Sequence, residues 1–265
     1  MGALVAPPRD LAGAVWRTRV RPGTLALWYL GGAGYVAKSA ATTLLLDPFV
    51  GPSNPPDWVR AIPPPCAPDA LPEVAATLLT HEHSDHADPV ALAALGRRAA
   101  GLVVGSAACI AVAAQAGVSG VRSRVLSHGE RLMIGDIAIT AVAMVDPAAV
   151  DPNGYVLELP GLAVLFCGDG LYSPDFVTLA SRWRLDAICA SVGANPPGKH
   201  FYMDEIDAAR AARDCGAARL IPQHHDLWQG LTLDPRRVAT VARWYCPGVR
   251  VTPARYGRRL TVTAR

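Results

Sequence analysis

Between residues 80 and 88 the chain reads Thr80-His81-Glu82-His83-Ser84-Asp85-His86-Ala87-Asp88, which puts three histidines and an aspartate on one short turn. The whole chain has only 7 histidines, and packing offers no reason to crowd three of them together. Imidazole is the commonest metal-binding side chain. A lone histidine reads as a hydrogen-bonded surface or core imidazole; the cluster reads as a metal site. The same segment constrains the fold. Ala75–Thr80, ahead of it, has the composition of a short buried strand, and Asp88-Pro89, behind it, supplies an N-cap and a first-turn proline for a helix ending near Gly101. A strand whose end runs into an H-x-H-x-D-H turn can divide four side chains between two cations a few ångströms apart.

Elsewhere the chain opens as a strand meander. Leu25–Leu30 and Thr42–Leu46 are apolar and β-rich, and the glycines of Gly31–Gly34 between them read as turn chemistry, since no amphipathic helix follows to make a phosphate loop. Residues 51–73 carry eight prolines, which rules out regular structure and predicts a long surface loop of the kind that often serves as a lid. Strand and helix then alternate. Leu102–Val104 is a strand, Ser106 caps a helix to Gly117, Ile137–Val145 is a strand, and Gly154–Leu159 with Leu162–Cys167 form a hairpin around Pro160-Gly161. Leu185–Ser191 and Leu220–Ile221 are further strands, with helices over Asp204–Cys215 and from Asp234-Pro235 to about Tyr245. Meander plus alternation predicts an α/β body of mixed sheets with helices outside. No linker divides it, so residues 1–265 read as a single domain.

Composition narrows the partners. At 265 residues and 51% hydrophobic, the chain can bury a sizeable core. Its charged fraction is 18% and its net charge +3, with arginines spread along the chain, so there is no basic stripe for nucleic acid. Pro7, Pro8, Arg9 and Asp10 interrupt the first twenty residues, so no secretory signal is expected there. No apolar run approaches the roughly 18 residues a membrane span needs. The expected location is the cytoplasm. Cys66, Cys109, Cys167, Cys189, Cys215 and Cys246 form no C-x-x-C pair and read as buried, reduced thiols.

Further metal ligands must come from other strand ends. Gly168-Asp169-Gly170 follows the apolar Leu162–Cys167 strand, where an aspartate between glycines can reach inward and bridge two metals, although G-D-G also describes an ordinary turn. Ile221-Pro222-Gln223-His224-His225-Asp226-Leu227-Trp228 lies after another strand. Adjacent histidines point to different sides, so at most one of His224 and His225 ligates directly.

H-x-H-x-D-H, a later G-D and a late P-x-H are the ordered motifs of the metallo-β-lactamase superfamily, which this chain resembles. More narrowly it resembles the bacterial L-ascorbate-6-phosphate lactonase family, through Pro22-Gly23-Thr24, Asp47 after Leu46, Asn195-Pro196-Pro197-Gly198 and above all the Ile221–Trp228 segment. The resemblance implies an αββα sandwich of two mixed β-sheets with helices outside. It implies that His81 and His83 bind one metal and Asp85 and His86 the other, with Asp169 bridging and His224 completing the second site. Asp47 would orient a histidine or the metal loop from behind, unless it is simply a turn aspartate before proline. It also suggests a homo-oligomer.

One departure matters. The superfamily usually supplies another histidine between the first cluster and G-D, but residues 141–152 contain none. Asp146, at the end of the Ile137–Val145 strand, matches the aspartate of the lactonase-like branch, although Asp-Pro pairs also start turns. An aspartate there hardens the first site, shifting preference toward Mn²⁺ or Fe²⁺, with Zn²⁺ still able to occupy it by availability. Of the remaining histidines, His128 reads as a solvated turn residue. His200, with Lys199 and Asn195, lies on a loop able to touch an anionic substrate or simply to be solvated.

The expected chemistry is hydrolysis by a metal-bound hydroxide at two divalent ions, Mn²⁺ or Zn²⁺, acting on a small anionic molecule. Asp85 serves there as a ligand rather than a free base. The leading expectation is a sugar-phosphate lactone such as L-ascorbate 6-phosphate. His225 and Tyr172 are nominated, by resemblance, as proton donors to the departing ring oxygen. The alternatives are a phosphodiesterase or phospholipase-like hydrolase of the same fold, an iron-dependent oxidoreductase, or a scaffold with a vestigial site.

Overall fold

The computed structural model describes residues 10–54, 56–98 and 101–265. Residues 1–9, on which the expectation of no leader partly rests, lie outside them, as do Pro55 of the proline-rich loop and residues 99–100 near the expected end of the first long helix. Among the described residues no helix is long and apolar enough to cross a membrane. All six cysteines are free thiols, five of them buried.

Among the described residues fourteen strands form two sheets. In chain order they are β1 (Thr24–Gly31), β2 (Gly34–Lys38), β3 (Thr43–Leu46), β4 (Ala76–Leu78), β5 (Leu102–Gly105), β6 (Ser123–Val125), β7 (Arg131–Ile134), β8 (Ile137–Ala143), β9 (Asn153–Leu159), β10 (Leu162–Phe166), β11 (Ala187–Ser191), β12 (Arg219–Gln223), β13 (Arg250–Val251) and β14 (Arg259–Thr263). The helices are α1 (Leu11–Arg17), α2 (Pro89–Arg97), α3 (Ala107–Gln115), α4 (Asp175–Arg182), α5 (Glu205–Asp214) and α6 (Arg236–Tyr245). The first sheet runs β14-β1-β2-β3-β4-β5-β6 and the second β13-β12-β11-β10-β9-β8-β7. Each is half antiparallel meander and half parallel, with parallel pairing from β3 to β6 and from β10 to β13.

Period-2 alternation sorts the side chains into layers. Leu25, Leu27 and Tyr29 of β1 face Ile137, Ile139 and Tyr155 of the other sheet in the central core. Ala26, Trp28 and Leu30 point the other way and are covered by Leu11 and Val15 of α1. Phe176 and Leu179 of α4 and the alanines of α5 cover the outer face of the second sheet. The result is the expected sandwich of two mixed sheets between helical layers.

Several elements carry no sequence signal strong enough to anticipate. β2 is five residues buried on both faces, so it shows no alternation and reads as the tail of the glycine turn. α1, α4, β7, β13 and β14 are short or largely exposed. The proline-rich 51–73 segment is indeed a loop, apart from one 3-10 turn at Pro68–Ala70. It is tied back by an isolated bridge from Arg60 to Trp228.

The layered arrangement places the site. β3 and β4 in one sheet, and β10, β11 and β12 in the other, deliver their carboxyl ends to one edge of the sandwich, where loops converge, as is usual for ligand sites in parallel sheets.

Candidate metal centre

Asp47 follows β3 with φ of 39°, a left-handed backbone that aspartate tolerates better than most residues. Its carboxylate accepts hydrogen bonds from the Thr80 amide at 2.8 Å and the Thr80 hydroxyl at 2.6 Å. His86 Nδ1 donates to it at 2.8 Å. That bond fixes the tautomer, so Nε2 of His86 is left with its lone pair aimed into the site. Asp47 thus orients a histidine, as the resemblance implies.

His86 Nε2 lies 3.2 Å from Asp169 Oδ2, while His224 Nε2 lies 3.3 Å from Asp85 Oδ2 and 3.5 Å from Asp169 Oδ2. His86 Nε2, His224 Nε2 and Asp169 Oδ1 are buried and yet make no hydrogen bond of acceptable geometry. The atoms converge on a common point instead of pairing. One ligating atom from each of Asp85, His86, Asp169 and His224 falls within 4.8 Å of the others. His81, His83 and Asp146 form a second group with the same spacing. There His81 Nε2 and His83 Nδ1 come within 2.9 Å of each other, and Asp146 Oδ2 lies 3.7 Å from the first. His83 Nε2 donates to the Ala148 carbonyl at 3.2 Å, which turns Nδ1 inward. Glu82, between the two histidines, accepts from the Val150 amide at 2.8 Å and so couples the metal turn to the Asp146 loop.

The electrostatics match a cation site. Burial alone would push the Asp169 carboxyl up, but His224 and His86 more than offset it and hold it at about 2. Asp85 is likewise held well down, against burial, by His86 and His224. Burial works to lower His86 and His224, yet Asp169 and Asp85 pull both above the ordinary histidine range. Asp85 and Asp169 therefore draw positive charge, whereas in the other group burial raises the Asp146 carboxyl and lowers His81. Orphaned, buried nitrogen and oxygen atoms in the first group, and the close-set His81, His83 and Asp146 in the second, fit divalent cations, with a mixed donor set suited to Zn²⁺, Mn²⁺ or Fe²⁺.

All seven sequence-nominated ligands come together here. Asp169 groups with Asp85, His86 and His224, and its free Oδ1 is the atom available for the bridging role.

Other nominations are corrected. His225 turns away from the cluster: its Nε2 hydrogen-bonds the Ala254 carbonyl at 3.1 Å and its ring faces Tyr29, because side chains alternate about the turn that presents His224. Tyr172 donates its hydroxyl to Asp214 at 2.7 Å and packs among α4 and α5 on the outer face of the second sheet. Asn195 spends its side chain on loop backbone, accepting from the Phe201 and Tyr202 amides at 2.8 and 3.1 Å and donating to the Tyr202 carbonyl at 2.8 Å. Lys199 and His200 do line the cavity over the cluster, which has a volume of about 520 Å³. Its remaining walls include Trp58, Phe201, Tyr202 and Trp228. Sequence reading missed them as site residues, since an aromatic in a loop carries no sign of what it faces. Trp228 also donates its indole N–H to Asp85 Oδ2 at 3.2 Å.

Residues 42–225, which contain every candidate ligand, match the beta-lactamase superfamily domain. The chain belongs to the beta-lactamase superfamily. It is similar over 83% of its length to the probable L-ascorbate-6-phosphate lactonase UlaG of Salmonella heidelberg, with 28% identity and 75% of that protein covered. In fold it is similar to the isothiocyanate hydrolase from Delia radicum gut bacteria, with a TM-score of 0.75 at 18% identity over 89% of this chain and 98% of that one. A possible metal-dependent hydrolase from Veillonella parvula gives a TM-score of 0.72 at 17% identity over 89% and 98%. The chain thus has the metallo-β-lactamase fold.

Proposed function

We propose that this superfamily member hydrolyses a small anionic lactone, a sugar-phosphate lactone of the L-ascorbate 6-phosphate type being the leading candidate. The observation that carries the reading is the cavity: its floor is the ligand cluster, its walls are aromatic, and Lys199 and His200 line it as well. The 28% identity with UlaG supports the lactone more weakly.

His81, His83 and Asp146 would hold one divalent ion and Asp85, His86 and His224 another, with Asp169 between them; Mn²⁺ or Zn²⁺ suits both. When bound, such ions acidify water and polarise a carbonyl. The chain's own residues do the rest. Trp58 and Trp228 offer flat faces to a ring, Lys199 offers charge to an anionic substituent, and His200 offers it a hydrogen bond. Asp47 holds His86 in register, and the aromatic walls keep bulk water off the reacting carbonyl. Water adds to the carbonyl carbon, the ring C–O bond breaks, and the departing oxygen takes a proton, leaving a ring-opened hydroxy acid. The family resemblance favours a cytoplasmic homo-oligomer.

The test is turnover by the metal-loaded protein of a lactone panel that includes L-ascorbate 6-phosphate, beside a chromogenic phosphodiester. Ring opening with little diester cleavage is expected. Diester cleavage without lactone turnover would overturn the lactonase reading in favour of a phosphodiesterase.

A further inference from the structure

Tyr202 is only 4% exposed, yet its hydroxyl makes none of the side-chain hydrogen bonds found among the described residues. Tyr35 is also buried with its hydroxyl unpaired, but in the central core and not on the cavity wall; two other buried tyrosines are paired. Tyr29 donates to Asp226 at 2.7 Å and Tyr155 to the Leu79 carbonyl at 2.7 Å, as a buried phenol normally requires. Tyr202 lies along the cavity wall, with its ring 4.5 Å from that of His224 and tilted 32° to it. Asp169, Asp85 and Asp146 are all close enough for their charges to act on its hydroxyl. An unpaired donor therefore opens into the cavity beside both ligand groups.

The ring is also held in place. Asn195 makes three hydrogen bonds to the Phe201–Tyr202 backbone. A Cβ on Gly193 would come within 2.4 Å of the Tyr202 ring, so only glycine leaves it room. The Gly193 amide and an isolated bridge from Val192 to Met203 pin the flanking chain. A fixed donor at a site of developing negative charge is what electrostatic catalysis needs, because no reorganisation is required when the charge appears.

We propose that Tyr202 is a catalytic residue whose hydroxyl donates a hydrogen bond to the substrate oxygen that becomes negatively charged as water adds, and that Asn195 is its positioning residue. This rests on the hydrolytic reading above. No bond to Tyr202 forms or breaks: the phenol keeps its proton, and the hydrogen bond strengthens as charge collects on the oxygen. This role differs from the proton donation to the departing ring oxygen for which His225 and Tyr172, both engaged elsewhere, are nominated.

The experiment compares Tyr202→Phe, Asn195→Ala and the double variant, all metal-loaded. Tyr202→Phe removes an oxygen that touches no protein group, so metal content and melting temperature should match the wild type while kcat falls by about 100-fold with KM little changed. Asn195→Ala should lower kcat less, and should lower it no further in the Tyr202→Phe background, as coupled residues behave. Wild-type kcat in Tyr202→Phe would overturn the proposal, and additive losses would overturn the role of Asn195. A second readout separates this proposal from the hydrolytic reading: calorimetric binding of phenylphosphonate, an oxyanion of tetrahedral shape, to the same proteins. If the wild type opens no lactone but Tyr202→Phe binds the phosphonate about tenfold more weakly, the lactonase reading fails and the oxyanion role of Tyr202 stands. Equal phosphonate binding overturns that role.

Discussion

Asp47 and His86 are joined by a 2.8 Å hydrogen bond between side chains that are at most 1% exposed. Three donors depend on that one carboxylate: the Thr80 amide, the Thr80 hydroxyl and the His86 ring. Asp47→Ala should therefore weaken metal binding by about 10- to 100-fold and destabilise the fold by about 2–3 kcal/mol by leaving buried donors unpaired. Asp47→Asn, which keeps an acceptor and tolerates the positive φ, should lose less on both counts. Equilibrium dialysis and urea unfolding of the two variants check this.

Trp228 reaches the same centre from the opposite side, through its 3.2 Å hydrogen bond to Asp85. Trp228→Phe keeps the aromatic wall against Phe49 and Trp58 and deletes only the indole donor. Metal affinity is expected to fall by about 10- to 100-fold, the worth of one hydrogen bond to a charged group, with the melting temperature of the metal-free protein little changed. Unchanged metal affinity, measured by competition with a chromogenic chelator, would show that Asp85 needs no such support.

Gly168 illustrates how far the centre's geometry depends on residues that never touch a metal. Its φ is +55°, and a Cβ there would meet the Thr80 hydroxyl oxygen at 2.6 Å, the atom that also bonds Asp47. Gly168→Ala should cost about 2–4 kcal/mol, from the left-handed backbone and the overpacking together. Gly161→Ala, at φ +78° with nothing within 4 Å, should cost only the backbone share of about 1–2 kcal/mol. Parallel denaturant curves give the comparison.

Metal removal should destabilise the fold in a pH-dependent way. Asp169 and Asp85 raise His86 and His224 above the ordinary histidine range. Protonation of those rings therefore stabilises the metal-free protein below their unfolded pKa of about 6.5, and this is lost as pH rises through the raised folded values. Metal takes over the same role and competes with those protons. Adding Zn²⁺ or Mn²⁺ to chelated protein should raise the melting temperature more at pH 8 than at pH 6. Calorimetric scans at the two values decide it, and a larger gain at pH 6 would contradict the assignment.

What the sequence made legible follows locality. His81, His83, Asp85 and His86 are adjacent along the chain, and Asp146, Asp169 and His224 each close a strand whose apolar pattern is clear, so ligands and sheets could be read together. The residues alone left His224 and His225 open, and only the resemblance chose His224, because the choice depends on a residue at φ 61° whose amide is held by Gly32 and Tyr29 from the other sheet. Tyr202 and Trp58 were invisible for the same reason. Their loops have no period, and only the packing of Trp58 against Phe201 and of Tyr202 against His224 gives them a face. Asn195 was noticed but misread, since a loop asparagine that binds substrate and one that clamps backbone look alike in one dimension.

The most direct test of the central claim is the metal content per chain of purified wild type and His86→Ala, measured by mass spectrometry after reconstitution with Mn²⁺ or Zn²⁺. About two ions per chain are expected for the wild type, as in binuclear hydrolytic sites, falling to about one or fewer when His86 is removed. Wild type without bound metal, or His86→Ala with undiminished content, would contradict it.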